Sequence, residues 1–283
     1  MERRPERVHH GMAYALTGRG KRVRPVLTLA VAEMLGGRAD EATLDLACAV
    51  EMVHACSLVL DDLPAMDDAR LRRGRPTLHV EAGEDVALLA AFALLNRAFE
   101  LVAECGQRLT LGRYTPQDLA HHLATAIGTA GLIGGQALDL ESRAAGLDRS
   151  GGLDRSGELD LERLEFIHSH KTGALFIAAA ELGAMAADAR RRDLELVTRY
   201  AKNLGLAFQI TDDLLDVVGT TEETGKETGK DEAKVTFVKL LGIEGARALA
   251  AELLDFAVTS LDPLGERAAP LRALASQVRD RRS

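Results

Sequence analysis

Tryptophan is missing from the 283-residue chain and aromatic residues amount to 4%, which leaves few stacking platforms for bases or sugars. Cysteine is scarce as well. Cys48, Cys56 and Cys105 are odd in number, widely spaced and without a CxxC pair, so they read as reduced, buried small hydrophobes of a cytosolic protein. An excess of positive charge is also lacking. Lys and Arg number 35 against 43 Asp and Glu, a net charge of −8, which argues against nonspecific binding to nucleic acid or to an anionic membrane. No apolar stretch of signal-peptide length follows the charged start Met1 to Arg7, and no run approaches the roughly 18 uncharged apolar residues of a membrane span. The protein therefore reads as soluble and cytoplasmic, with no integral membrane segment and no nucleic-acid partner.

What the chain does have is helical spacing and a large apolar fraction, 47%, enough for a sizeable core. Ala, Leu, Glu and Arg fill most segments, and alternating β-branched runs are almost missing. Helices are predicted at 22–36, 41–62, 84–105, 116–140, 160–187, 190–218, 233–241, 244–261 and 265–281. Segments such as Ala87–Ala98 and Thr172–Ala187 are apolar around most of the circumference, as helices in the middle of a large bundle are. One all-α domain spanning 1–283 is the expectation. The hexapeptide GLDRSG at 146–151 repeats at 152–157; this polar, glycine-rich duplication predicts a flexible surface loop near 142–158.

Two acidic clusters stand out. Asp61-Asp62-Leu63-Pro64-Ala65-Met66-Asp67-Asp68 follows an apolar helix. Adjacent carboxylates repel, and hard divalent cations relieve that repulsion; Mg²⁺ uses one or two carboxylates, waters and substrate phosphates. Asp67 lies about 240° around a regular helix from Asp61, but Pro64 disfavours that helix and lets the chain fold back. Asp212-Asp213-Leu214-Leu215-Asp216 has i, i+1, i+4 spacing, which stacks Asp212 and Asp216 with Asp213 beside them. Either cluster alone is most simply a solvated helix end. Two of them, both embedded in apolar helices, argue for a metal.

Basic residues flank these acids. Arg70, Arg72 and Arg73 follow the first cluster, Lys226, Lys230 and Lys234 follow the second, and Lys21, Arg22 and Arg24 lie near the N-terminus. Singly each is ordinary solvated surface; as a set they suit a diphosphate held partly by metal and partly by cations. His54 sits two turns before Asp61, Gln209 three residues before Asp212, and Lys171-Thr172 interrupts an apolar helix, a costly place for a cation without an anion. His9, His10, His79, His121, His122, His168 and His170 form no convincing zinc pattern.

Together GKRVRP at 20–25, EMVHACSLVLDDLPAMDDARLRRGRPTLH at 51–79, GGQALDL at 134–140, HKTGALF at 170–176, GLAFQITDDLLDVVG at 205–219 and GKETGKDEAKVTFVKLLG at 225–242 resemble the polyprenyl synthetase family, specifically bacterial farnesyl and geranylgeranyl diphosphate synthases. The resemblance implies an all-α bundle of antiparallel helices around a deep central cavity, usually a homodimer. It implies Mg²⁺, with Mn²⁺ able to replace it, on Asp61, Asp67 and Asp212, supported by Asp62, Asp213 and Asp216. Arg72, Lys171, Thr172, Gln209 and Lys226 match positions that hold an allylic diphosphate, and Lys21, Arg24, His54 and Arg73 match those of isopentenyl diphosphate. The implied reaction ionises the allylic C–O bond, lets the isopentenyl double bond attack the cation, and leaves the released diphosphate to remove the proton.

Cys56 stands where farnesyl-producing bacterial relatives typically carry a bulky aromatic, and Ser57 is one turn behind Asp61. Two small residues leave the chain-length pocket open, so geranylgeranyl diphosphate is the expected product and farnesyl diphosphate the alternative. A class I terpene cyclase and a non-catalytic regulatory subunit are the rival readings. The first would carry a different second metal motif, and the second would have damaged Asp clusters. Three departures from the family pattern are a short segment before Gly20, the repeated hexapeptide, and a shortened stretch between Asp231 and Lys234.

Overall fold

A computed structural model of the chain describes residues 5–144, 157–218 and 236–281. Lys226, Lys230, Lys234 and all of the repeated hexapeptide except Gly157 lie outside these residues. The described chain is almost entirely helical: α1 Glu6–Thr17, α2 Val23–Met34, α3 Glu41–Asp61, the strands β1 Leu71–Arg72 and β2 Arg75–Pro76, α4 Leu78–Ala82, α5 Glu84–Arg108, α6 Pro116–Ile127, α7 Leu132–Ala144, α8 Gly157–His168, a π-helical turn Ser169–Gly173, α9 Ala174–Ala186, α10 Arg191–Val218, α11 Phe237–Ser260, a 3₁₀ turn Asp262–Ala268 and α12 Ala269–Arg279.

Local chemistry sets several boundaries. Asp40 caps α3 by accepting from the Thr43 N–H at 3.0 Å, and Thr115 with Asp118 forms a capping box ahead of Pro116. The predicted helix 116–140 is two helices, because the stretch from Gly128 to Gly131 breaks it. The predicted pair 233–241 and 244–261 is one element, α11, kinked at Gly242 with φ 72°. Helix α1 precedes the first of the predicted ranges and occupies the short segment before Gly20; its Gly11 lets the backbone approach Ala90 of α5, where an added Cβ would stand 3.1 Å from the alanine methyl.

Helix α9 is buried along most of its length, from Leu175 to Met185. It packs on α2 so closely that a Cβ on Gly183 would stand 2.3 Å from the Thr28 carbonyl oxygen. Leu27, Leu46, Leu119 and Tyr200 are fully buried in one cluster with its own Phe176 and Leu182, and the Tyr200 hydroxyl donates to the Leu271 carbonyl of α12 at 2.7 Å. By length and composition α3 and α5 could each cross a membrane, a feature that a search for unbroken apolar runs overlooks. They pack against each other and the rest of the bundle, with 56% of the α3 window and 44% of the α5 window buried.

Candidate active site

The C-terminus of α3 delivers the first acid cluster. Past Asp61 the helix stops, and the chain turns back as Pro64 allows: the Asp67 N–H donates to the Asp61 carbonyl at 2.9 Å, and the Ala69 N–H to that of Asp62 at 3.2 Å. This return brings Asp67 beside Asp61. Burial raises the pKa of Asp61, Lys171 opposes that shift, and Asp67 adds to it. Two crowded carboxylates in a partly dry site are a cation-binding arrangement.

The next residues form a hairpin in which Leu71 pairs with Pro76 and Arg72 with Arg75. Its turn is Arg73-Gly74, both at positive φ (54° and 74°), the conformation that two-residue hairpins favour. Arg72 reaches Asp62, its Nε donating to both carboxylate oxygens at 2.8 Å. Asp62 is 4% exposed, so Arg72 is its partner in this state. Burial would lower the pKa of Arg72, but Asp62, Asp61 and Asp67 together raise it.

Lys171 and Thr172 come from the π-helical turn Ser169–Gly173, a distortion common at functional positions. Lys171 Nζ lies 2.7 Å from Asp139 and 3.8 Å from Asp61. Gly135 of α7 permits this: an added Cβ would stand 2.2 Å from the Lys171 backbone nitrogen. The Thr172 hydroxyl donates to Gln209 Oε1 at 3.0 Å, and Gln209 Nε2 donates to Asp213 Oδ1 at 3.0 Å. A continuous line of contacts thus runs from Asp61 through Lys171-Thr172 to the second acid cluster.

That cluster is divided by its partners. Asp213 is buried and also accepts from the Phe237 N–H at 3.4 Å, at the start of α11. Burial pushes its pKa up to about 7 against the opposing Gln209 bond. Asp212 is half-buried and accepts from Arg281 Nη2 at 2.6 Å, while the Arg281 guanidinium sits 4.3 Å from the Phe208 ring centre. Asp216 lies one turn further on, half-buried.

A cationic group stands opposite. Arg24 is buried over the Phe176 ring at 4.6 Å, and burial lowers its pKa to about 10, with Glu51, Arg73 and Asp212 all acting on it. Burial followed by the charges of Arg24, Arg73, Arg72 and Arg22 holds His54 well below the usual imidazole range, so it stays neutral. The Arg73 guanidinium lies against Gly20, where a Cβ would meet Nη1 at 2.5 Å. Lys21, next in the chain, is exposed.

Below Asp61 on α3, Cys56 is buried among Ala55, Val59, Ala87, Ala90 and Ala91. Burial and then Asp61 push its thiol up to about 11. The Ser57 hydroxyl donates to the His54 carbonyl at 2.9 Å.

Among the described residues no three His, Cys, Asp or Glu side chains close on one point. Asp61 and Asp67 supply a pair, the number that Mg²⁺ takes when phosphate oxygens and water complete its shell. The donor chemistry fits that ion. Four residues of this neighbourhood escaped the sequence reading of the site: Asp139, Glu51, Arg22 as the partner of that buried carboxylate, and Arg281. The Asp in GGQALDL was the available signal for the first; Arg22 and Glu51 lay within the motifs at 20–25 and 51–79 without a sign that they pair, and Arg281 was visible only as an isolated charge.

A sequence model of the family described as "Polyprenyl synthetase" matches residues 5–260. "Geranylgeranyl pyrophosphate synthase 11, chloroplastic" of Arabidopsis thaliana is 46% identical over 283 residues, covering 97% of this chain and 74% of its own. A crystal structure of a FPP/GFPP synthase from Zymomonas mobilis superposes with a TM-score of 0.82 at 35% identity, over 97% of this chain and 89% of the other. The geranyltransferase of Helicobacter pylori, solved in complex with magnesium and isoprenyl diphosphate, gives 0.82 at 33%, over 98% and 88%.

Proposed function

Because the chain belongs to the polyprenyl synthetase family, we propose that its described helices carry one prenyl synthase domain whose two acid clusters act on a single diphosphate. The protein is a prenyltransferase of the geranylgeranyl and farnesyl diphosphate synthase kind. The observation that carries the site assignment is the line Asp61, Lys171-Thr172, Gln209, Asp213, which ties two clusters far apart in sequence into one neighbourhood.

Asp61, Asp67 and Asp212 would hold Mg²⁺, which supplies positive charge against the departing diphosphate of an allylic substrate. Asp216 stands behind Asp212. Asp62 and Asp213 serve better as positioning groups, since Asp62 orients Arg72 and Asp213 anchors Gln209 and the start of α11. Arg72, Lys171 and Thr172 stabilise charge building on the leaving oxygen. Lys21, Arg24, His54 and Arg73 hold isopentenyl diphosphate so that its double bond meets the allylic cation. Apolar walls exclude water from that cation.

The small wall at Cys56, facing Ala87, Ala90 and Ala91, supports geranylgeranyl diphosphate as the product, with farnesyl diphosphate second. The unburied apolar face of α5, Leu88, Leu89 and Phe92 (65% exposed), supports a homodimer. Three free thiols, two of them buried, suit a reducing compartment such as the cytoplasm. The test is incubation of the purified chain alone with Mg²⁺, isopentenyl diphosphate and each allylic primer, followed by chain-length analysis. Mg²⁺-dependent formation of geranylgeranyl diphosphate is expected. A chain that elongates nothing unless a second, active synthase is added would instead be a regulatory subunit.

A further inference from the structure

Arg22 stands in the middle of the cationic turn, yet its guanidinium is engaged by protein acceptors. The residue is the N-cap of α2 in a left-handed conformation, φ 49°. Its Nη2 donates to the Leu16 carbonyl and to the Gly18 carbonyl (2.9 Å), and its Nη1 donates to Glu51 Oε1. One guanidinium thus fastens the end of α1, the turn that carries Lys21, and α3. Glu51 is 8% exposed and lies one helical turn before His54.

Glu51 is also the countercharge of its surroundings. It is the carboxylate acting most strongly on Arg24 and on Arg73. Without an anion, Arg22, Arg24 and Arg73 would repel one another in a partly dry site. A buried carboxylate holds them at fixed positions before any substrate arrives, and such preorganisation lowers the ordering cost of binding.

We propose that Arg22 and Glu51 form the positioning pair of the isopentenyl diphosphate site, holding Lys21, Arg24, His54 and Arg73 in register without touching substrate. The proposal rests on the assignment of that substrate to those four residues. Arginine suits the place because two separate nitrogens of its rigid planar fork reach Glu51 on one side and the Leu16 and Gly18 carbonyls on the other, a span that the single nitrogen of an ammonium does not cover.

The test is Arg22→Lys, which conserves net charge and isolates geometry. KM for isopentenyl diphosphate should rise tenfold or more, while KM for the allylic diphosphate and kcat at saturation stay within threefold. An unchanged KM for isopentenyl diphosphate, or equal losses toward both substrates, would overturn it. Should Arg22→Lys fail to fold, Glu51→Asp keeps the charge, shortens the reach and carries the same expectation. Lys21→Ala separates the two levels. If Lys21→Ala leaves that KM unchanged, the substrate assignment fails and the proposal with it. If Lys21→Ala raises it and Arg22→Lys does not, the positioning role alone is wrong.

Discussion

Asp139→Asn is the sharpest perturbation of the site that substitutes none of the proposed ligands. Lys171 Nζ stands 2.7 Å from Asp139 and 3.8 Å from Asp61, so Asp139 draws the ammonium away from the carboxylate proposed to hold the metal. Amidation removes that pull, and the ammonium can close onto Asp61. With an effective dielectric of about 20, shortening a unit-charge pair from 3.8 to 2.7 Å strengthens it by on the order of 2 kcal/mol. A metal must displace that extra attraction. The Mg²⁺ concentration for half-maximal activity should rise about tenfold, allowing for relaxation and solvent, and kcat should fall as Lys171 leaves its position. The assay is initial rate of prenyl transfer against Mg²⁺ at saturating substrates, with thermal melting to confirm folding. An unaltered Mg²⁺ response with kcat within twofold of wild type would refute the reasoning.

Three further outcomes follow from the geometry. Cys56→Tyr places a ring against Ala87, Ala90 and Ala91; the main product should shift from geranylgeranyl to farnesyl diphosphate, with a stability loss of about 1–3 kcal/mol from overpacking, read by product chromatography and melting. Gly135→Ala puts a methyl 2.2 Å from the Lys171 nitrogen, so activity should fall by at least tenfold while far-ultraviolet circular dichroism stays helical; wild-type activity would show that the π-helical turn need not be held there. His122 shares a 2.8 Å contact with Glu181, whose hydrogen bond is the first cause of its raised pKa. A raised folded-state pKa means the contribution is complete below the ordinary imidazole value and lost as pH rises through the raised one. The melting-temperature gap between wild type and His122→Gln should therefore be widest below the ordinary imidazole value and narrow as pH rises through the raised one; a gap independent of pH would contradict the pairing.

Helix type and order were legible because the apolar pattern is strong, whereas the breaks were not. The stretch from Gly128 to Gly131 ends α6, but Gly135 does not end α7, because it serves close approach to the Lys171 backbone instead. The π-helical turn spans only five residues, 169–173, too short for its wider period to show in an apolar pattern read over about 11 residues or more. The hairpin at Leu71–Pro76 was hidden because two-residue strands have no pattern of their own. The fold-back of Asp67 onto Asp61 was legible from Pro64. What the sequence could not tell is which carboxylate of each pair faces inward. Asp62 and Asp213 have partners 10 and 24 residues away, Arg72 and the Phe237 N–H, and spacing within one helix carries no information about them. Arg281 and Glu51 escaped for the same reason: their partners Asp212 and Arg22 lie 69 and 29 residues distant.

Shared metal-assisted grip by both acid clusters is most directly tested by calorimetric binding of inorganic diphosphate to wild type, Asp61→Asn and Asp212→Asn, each with and without Mg²⁺. The account predicts tight binding only for wild type with Mg²⁺, and a loss of at least tenfold when either carboxylate is amidated. Binding by either variant at wild-type affinity, or wild-type binding indifferent to Mg²⁺, would contradict it.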